Sequence, residues 1–306
     1  MTAQQDLQPV VQVRGPRDVQ ASRGRRSPRY GERPSIAYLF LSPWVLGALL
    51  LTVGPMLASL YLSFTDYDLF TSPEWVGLEN YRNLFADDPR FLAAVWVTVK
   101  YVLISTPLKL AAALAVALLL NRASSAQGFY RSAFYAPSLL GASVAVALVW
   151  RVIFDQWVAK PAYALLVIVA LAVWQFGAPM VIFLAGLKQI PKDLYDASSV
   201  DGAGWWRTLW SVTLPMLSPV IFFNLVLETI HAFQAFTGAF VISGGRGGPV
   251  DSTLFYTLYL YQKGFTEFRM GYAAAMAWVL VLVVAAITAV LFRTARMWVF
   301  YAGEDR

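Results

Sequence analysis

The chain of 306 residues contains no cysteine and a single histidine, His231. The absence of cysteine excludes disulfide bridges, thiol nucleophiles and thiolate metal sites, and a single histidine excludes histidine-rich metal centres. Charged residues are also scarce, at 14% of the chain, whereas a soluble domain averages about 25%. Because 58% of the residues are hydrophobic, we expect most of the chain to lie in lipid or in a large apolar assembly.

The sequence also lacks any Gly-Lys dipeptide, which excludes a Walker A phosphate-binding loop. The chain is therefore not expected to hydrolyse ATP by itself. No paired carboxylates occur within the apolar segments, which together with the lone histidine disfavours a membrane-bound enzyme. We assign no catalytic residue, no metal ligand and no cofactor to this chain.

The net charge of +6 comes largely from the first 35 residues. A basic tail before an apolar run is typical of membrane proteins that follow the positive-inside rule, so nucleic-acid binding is not expected. Residues 1–35 are predicted to form a disordered cytosolic tail. The arginines of this tail are Arg14, Arg17, Arg23, Arg25, Arg26, Arg29 and Arg33.

Six apolar segments follow the tail, each long enough for a helix that crosses a bilayer core of about 30 Å. We therefore predict an all-α membrane protein with a six-helix domain over residues 36–301 and a short cytosolic end at 302–306. The predicted spans one to six cover residues 36–64, 91–120, 132–154, 162–187, 219–242 and 271–292.

The distribution of Lys and Arg orients the predicted spans. The loop at 65–90 carries six acidic residues and only two arginines, whereas basic residues follow spans two, four and six. Both termini and the loop 188–218 are therefore predicted to be cytosolic. The basic residues that decide this are Arg122, Arg131, Lys188, Lys192, Arg207, Arg293 and Arg296.

A polar island interrupts the apolar sequence after span four. Pro191 favours the start of a short helix, Gly202 permits a sharp turn, and Pro215 and Pro219 are expected to mark the return to the membrane. Two interpretations fit these residues: a pair of short helices that inserts into a cleft on another protein, or an amphipathic loop on the bilayer surface.

The island resembles the "EAA" loop of binding-protein-dependent ABC importer permeases, whose pattern is Glu-Ala-Ala, three residues, Gly, nine residues and Ile-x-Leu-Pro. The spacing is kept throughout, with Asp, Ser and Val in place of Glu, Ala and Ile. The resemblance implies that residues 188–218, here named the coupling loop, fit a groove on an ATPase subunit. The implied coupling residues are Asp196, Ala197, Ser198, Asp201, Gly202, Ala203, Leu214 and Pro215.

Two further segments are similar to carbohydrate-uptake permeases of the maltose and glycerol-phosphate-ester type. They are 76–81, Val-Gly-Leu-Glu-Asn-Tyr, and 247–253, which contains Gly-Gly-Pro and Ser-Thr. The resemblance implies a type I ABC importer fold in the bacterial cytoplasmic membrane. It also implies a second permease, two ATPase subunits that hold ATP and Mg, and an extracellular substrate-binding protein. The loop at 155–161 is short for this family.

Polar residues within the spans are candidates for a substrate pathway. One face of span five carries Asn224, Glu228, His231 and Gln234. Polar groups within a membrane face a cavity or a partner, so this face either lines a pathway or packs against another subunit. Trp174 and Gln175 are further candidates.

Lys109 lies near the middle of span two. We expect an ion pair with Glu228 or with an acid of the partner permease; the alternative is a side chain that snorkels to the interface. A stand-alone secondary transporter or channel is the alternative function. The cytosolic docking loop and the lack of duplicated halves disfavour it.

Overall fold

A computed structural model describes residues 34–121, 127–141 and 143–300. Most of the predicted tail and the end at 302–306 lie outside these residues. The chain divides into two compact units, the first ending at Pro55 and the second beginning at Met56. The helices are α1 Pro34–Ala48, α2 Gly54–Leu62, α3 Glu79–Ala86, α4 Pro89–Leu120, α5 Gln127–Leu140, α6 Val144–Ile153, α7 Asp155–Val158, α8 Pro161–Trp174, α9 Gly177–Gln189, α10 Lys192–Val200, α11 Trp205–Thr208, α12 Leu214–Phe233, α13 Thr237–Ser243, α14 Tyr256–Tyr261 and α15 Met270–Trp298.

Four helical stretches are long and apolar enough to cross a membrane without a break: Tyr38–Leu62, Pro89–Leu120, Trp205–Ser243 and Met270–Trp298. Two bent pairs complete the set of six when each pair is one span. The pair α5–α6 bends by 93° and the pair α8–α9 by 42°. The all-α membrane fold expected from the sequence is confirmed, but spans three and four are not the continuous helices that we predicted.

The break in span four is stabilised by a side chain from span three. Ser138 donates its hydroxyl to the carbonyl oxygen of Gln175 at 2.9 Å and accepts the Ala178 N–H at 3.0 Å. These bonds satisfy two of the backbone groups that a helix break leaves without partners. A Cβ on Gly177 would lie 2.5 Å from the Phe134 carbonyl oxygen, so only glycine permits this approach of α5.

Span five begins earlier than the prolines predict. The helical stretch runs from Trp205, through a π-helical turn at Leu209–Thr213, into α12, with Pro219 inside the helix. Pro219 has no N–H for the carbonyl of Pro215, and the Ser218 hydroxyl donates to that carbonyl instead, at 2.7 Å. The second half of the coupling loop is therefore continuous with the helix of span five, and the membrane re-entry at Pro215 and Pro219 stays a prediction.

Helix α4 occupies the centre of the second unit. Its first half packs in a large apolar cluster with α8, α13, α14 and α15, and its second half packs with α9 and the start of α12. A smaller cluster joins α12 to the end of α15 and includes Val299. The position of α4 explains how a side chain in span two reaches span five.

The segment at 65–90 contains a two-stranded antiparallel ladder, Thr65–Asp66 with Glu74–Trp75, followed by α3. Asn80 donates to the carbonyl oxygens of Ser63 and Thr65, and the Tyr81 hydroxyl donates to Ser63 Oγ. Asn80 and Tyr81 of the sequence motif at 76–81 therefore attach this segment to the end of α2.

Candidate functional site

A polar cavity of about 430 Å³ lies among α4, α8, α12 and α13. This volume falls within the range of roughly 300–1,000 Å³ that small-molecule sites occupy. Aromatic rings of Tyr101, Phe236 and Phe255 form part of its wall. The polar side chains of the wall are those of Tyr101, Ser105, Thr106, Lys109, Ser138, Gln175, Glu228, His231 and Thr237.

An ion pair crosses one side of the polar cavity. Lys109 Nζ of α4 donates to Glu228 Oε2 of α12 at 2.7 Å, and the two side chains are only 17% and 11% exposed. Of the two partners that we expected for Lys109, Glu228 is thus the one that it contacts. Because each charge is neutralised by the other, both are tolerated at a depth where a single charge would be costly.

The structure separates the predicted pathway residues into two groups. Lys109, Gln175, Glu228 and His231 line the polar cavity. The remaining three, Asn224, Gln234 and Trp174, are absent from its wall.

Each of these three side chains has another environment. Asn224 is buried one turn before Glu228 and donates to the carbonyl oxygen of Val220. Gln234 is exposed where α12 ends. The Trp174 ring packs against Trp150 at a centroid distance of 5.8 Å. Helical phase alone therefore overestimates the length of the face that borders the cavity.

Of the residues that span two contributes to the cavity, sequence reasoning found Lys109 and missed Tyr101, Ser105 and Thr106. Tyr101, Ser105 and Lys109 recur at intervals of four residues, which places them on one face of α4, and Thr106 lies beside them. Polar residues at helical spacing around a mid-membrane lysine were a signal for this face.

The turn in the coupling loop has the hydrogen bonds of a Schellman motif. Ala203 N–H donates to the Ser198 carbonyl at 2.9 Å and Gly202 N–H donates to the Ser199 carbonyl at 3.0 Å. Gly202 has a φ of +69°, a left-handed conformation that favours glycine, and a Cβ there would meet no atom within 4 Å. Glycine is required at this position for backbone conformation and not for space.

Hydroxyl groups hold α10 against the helix that follows it. Ser198 Oγ donates to the Tyr195 carbonyl and lies 3.3 Å from Thr208 Oγ1, while the Tyr195 hydroxyl lies 3.4 Å from Thr213 Oγ1. The outer face of α10 is free of such contacts in the described part of the chain, and Val200 at its end is 87% exposed.

The predicted coupling residues do not all share this exposure. Asp196, Ala197, Asp201 and Gly202 are exposed. Ser198, Ala203, Leu214 and Pro215 are partly buried, and the last two form the first turn of α12. The exposed four therefore form a small solvent-facing surface, and the other four lie partly beneath it.

A carboxylate joins three elements at the opposite end of α4. Asp88 caps α4 by accepting the Phe91 N–H and also accepts the hydroxyls of Tyr259 at 2.6 Å and Tyr272 at 2.7 Å. Burial of Asp88 opposes its ionisation, but these hydrogen bonds outweigh burial and lower its pKa below the ordinary value. Nearby, Arg90 forms a two-bond ion pair with Asp251, at 3.0 and 2.9 Å.

Comparison with known proteins identifies the family to which the chain belongs. Residues 86–297 match the profile of the binding-protein-dependent transport system inner membrane component. The chain belongs to this family. It is therefore a multi-pass permease component of the bacterial inner membrane, as the loop spacing predicted.

Two relatives and a solved structure support this family membership. The probable ABC transporter permease protein YesP of Bacillus subtilis is 49% identical over 286 residues, with 88% of this chain and 93% of the relative covered. The probable starch degradation products transport system permease protein AmyD of Thermoanaerobacterium thermosulfurigenes is 28% identical over 270 residues, covering 83% and 91%. A bacterial alginate ABC transporter, solved in complex with an alginate pentasaccharide-bound periplasmic protein, has the same fold, with a TM-score of 0.73, 18% identity and coverage of 87% and 95%.

Proposed function

We propose that this permease carries a sugar or a sugar-like solute through the polar cavity, as one subunit of an ATP-driven importer. The observation that supports this most is the composition of the cavity wall, which contains both hydrogen-bonding hydroxyl, amide and imidazole groups and aromatic rings. A saccharide requires hydrogen-bonding partners for its hydroxyls and flat apolar surfaces for its ring faces. The names of the relatives, which include a permease for starch degradation products, support the same substrate class.

The energy for transport comes, in this proposal, from two ATPase subunits that hold ATP and Mg. The exposed surface of Asp196, Ala197, Asp201 and Gly202 is the contact with one of them. The hydroxyl contacts of Tyr195 and Ser198 make α10 and the start of span five a single body. Closure of the ATPase pair then shifts this body, and the spans alternate between inward-facing and outward-facing arrangements.

Two membrane-side partners complete the assembly that we propose. A second, homologous permease encloses the pathway from the other side. An extracellular substrate-binding protein delivers the solute, in line with the periplasmic protein seen bound to the alginate transporter of the same fold. Both termini and the coupling loop face the cytosol in this arrangement.

Uptake into proteoliposomes tests the proposal. The transporter is reconstituted with its ATPase subunits and binding protein and given a defined mixture of oligosaccharides, and mass spectrometry identifies what accumulates inside. We expect ATP-dependent uptake that falls roughly tenfold, equivalent to about 1.4 kcal/mol, in Gln175→Ala and in His231→Ala.

Gln234→Ala is the matched control, because Gln234 lies three residues beyond His231 and does not line the polar cavity. It is expected to transport at the rate of the unaltered protein. Uptake by this chain alone, without ATP or partner subunits, would contradict the importer and favour a stand-alone transporter or channel.

A further inference from the structure

A second cleft, distinct from the polar cavity and the coupling loop, lies between α5 and α9. Its volume is about 610 Å³. From α5 it is lined by Gly128, Arg131, Ser132 and Tyr135, whose spacing of three to four residues places them on one helical face. From α9 it is lined by Ala178, Val181 and Ile182.

Positive charge is concentrated at one end of this α5–α9 cleft. Lys188 Nζ of α9 lies 3.4 Å from Gln127 Oε1, and Gln127 precedes Arg131 by one helical turn on α5. Three ion pairs occur among the described residues, and neither Arg131 nor Lys188 takes part in them.

Away from this end, the wall of the cleft is mainly apolar. Val181 and Ile182 lie one turn after Ala178 on α9, and this part of α9 belongs to a stretch long and apolar enough, with α8, to cross a membrane. Tyr135 lies at the end away from Lys188, where its Cα would be 2.8 Å from a Cβ on Gly177, the residue before Ala178. The cleft therefore has a cationic end that is followed, along the helices, by a largely apolar stretch.

We propose that the α5–α9 cleft binds one anionic phospholipid. The phosphate of the headgroup contacts the guanidinium of Arg131, which suits bidentate recognition of phosphate oxygens, and Lys188 adds to the positive field. An acyl chain follows Val181 and Ile182. Charge complementarity selects an anionic lipid over a zwitterionic one, since basic pockets between membrane helices attract anionic headgroups.

Thermal stability of the complete transporter in detergent tests the proposal. Phosphatidylglycerol is expected to raise the apparent melting temperature, and phosphatidylcholine is not. The gain is expected to fall by at least half in Arg131→Gln/Lys188→Gln. It is expected to persist in Arg293→Gln/Arg296→Gln, a control that removes two exposed charges at the end of span six. An equal gain in both double variants, or an equal gain from both lipids, overturns the proposal.

A photoreactive benzophenone side chain placed at Ile182 gives a second readout that does not depend on the stability of the charge variants. In membranes that contain phosphatidylglycerol, illumination is expected to give a lipid adduct on this chain, detected by mass spectrometry. An adduct with a second permease subunit instead shows that protein covers the cleft, and it overturns the proposal. Neither result depends on transport, so the sugar-import proposal stands or fails separately.

Discussion

Lys109 Nζ and Glu228 Oε2 lie 2.7 Å apart across the wall of the polar cavity, joining span two to span five. Removing one partner leaves the other charge in a poorly solvated position, which costs about 3–5 kcal/mol when the pair is fully buried. Lys109→Met is therefore expected to lower the apparent melting temperature of the assembled transporter and to reduce uptake. Unchanged assembly and transport in Lys109→Met would show that the pair has no role.

The double variant Lys109→Met/Glu228→Gln separates stability from transport. Replacing both charges leaves no unpaired ion, so the melting temperature is expected to recover most of the loss. Uptake is expected to remain low if these groups contact the solute or couple the two spans during transport. Recovery of both properties contradicts a transport role and leaves a purely structural one.

The sequence named Glu228 as one of two possible partners of Lys109, because both residues are charged and belong to apolar helices, and the structure shows the pair with Glu228. The sequence was insufficient for the breaks in spans three and four. The α8–α9 break depends on the hydroxyl of Ser138, which is 37 residues from Gln175, and no local signal links the two. Tertiary contacts of this kind are invisible to hydropathy.

Asn224 illustrates a second limit of sequence reasoning. It lies on the same helical face as Glu228, yet the cavity borders only the later part of α12. The earlier part, including Leu217, packs against α9 and the second half of α4. Helical phase predicts which residues share a face, whereas the neighbouring helices decide how far along that face a cavity extends.

Gly202 offers a test of the coupling loop that depends on backbone conformation. Gly202→Ala places a Cβ in a left-handed conformation, which costs about 1–2 kcal/mol, although the space around it is open. The Schellman turn is expected to distort, and the amount of ATPase subunit that co-purifies is expected to fall. Gly202→Asn is expected to retain more ATPase subunit, because Asn adopts this conformation more readily.

Gly204→Ala is the matched control for Gly202→Ala. Gly204 lies two residues away, has a φ of −68° and a ψ of 166°, and likewise has no atom within 4 Å of the position that a Cβ would take. Alanine adopts these angles without strain, so ATPase co-purification is expected to be unchanged. Equal losses in the two alanine variants would mean that any side chain on this surface blocks docking.

Asp88 predicts a dependence of stability on acid pH. Its pKa is lowered in the folded protein, so its contribution to stability is present above the unfolded pKa of about 3.9 and is lost as the pH falls through the folded value. Asp88→Asn is expected to destabilise the protein by about 1–3 kcal/mol near pH 7. Below about pH 4, the melting temperature of this variant is expected to fall less steeply with decreasing pH than that of the unaltered protein.

The exposed neighbour Asp87 provides the control for Asp88. Asp87→Asn is expected to have the melting temperature of the unaltered protein, and the same decrease of that temperature at acid pH. Tyr259→Phe and Tyr272→Phe each remove one hydroxyl donor from Asp88, and each is expected to weaken the acid dependence in part. If the melting temperature of Asp88→Asn falls at acid pH as steeply as that of the unaltered protein, Asp88 is not the source of this pH dependence.

The Ser218 hydroxyl joins the start of span five to the chain after span six. Its hydroxyl donates to the Pro215 carbonyl at 2.7 Å and accepts the Phe300 N–H at 2.8 Å, so Ser218→Ala removes a partner from two backbone groups. We expect a destabilisation of about 1–2 kcal/mol and faster proteolysis near residue 300. Ser211→Ala is the control, because exposed Ser211 donates only to the Arg207 carbonyl on its own helical stretch. Equal melting temperatures and equal proteolysis rates in the two variants would show that the chain after span six is held without Ser218, through the packing of Val299 against α12 alone.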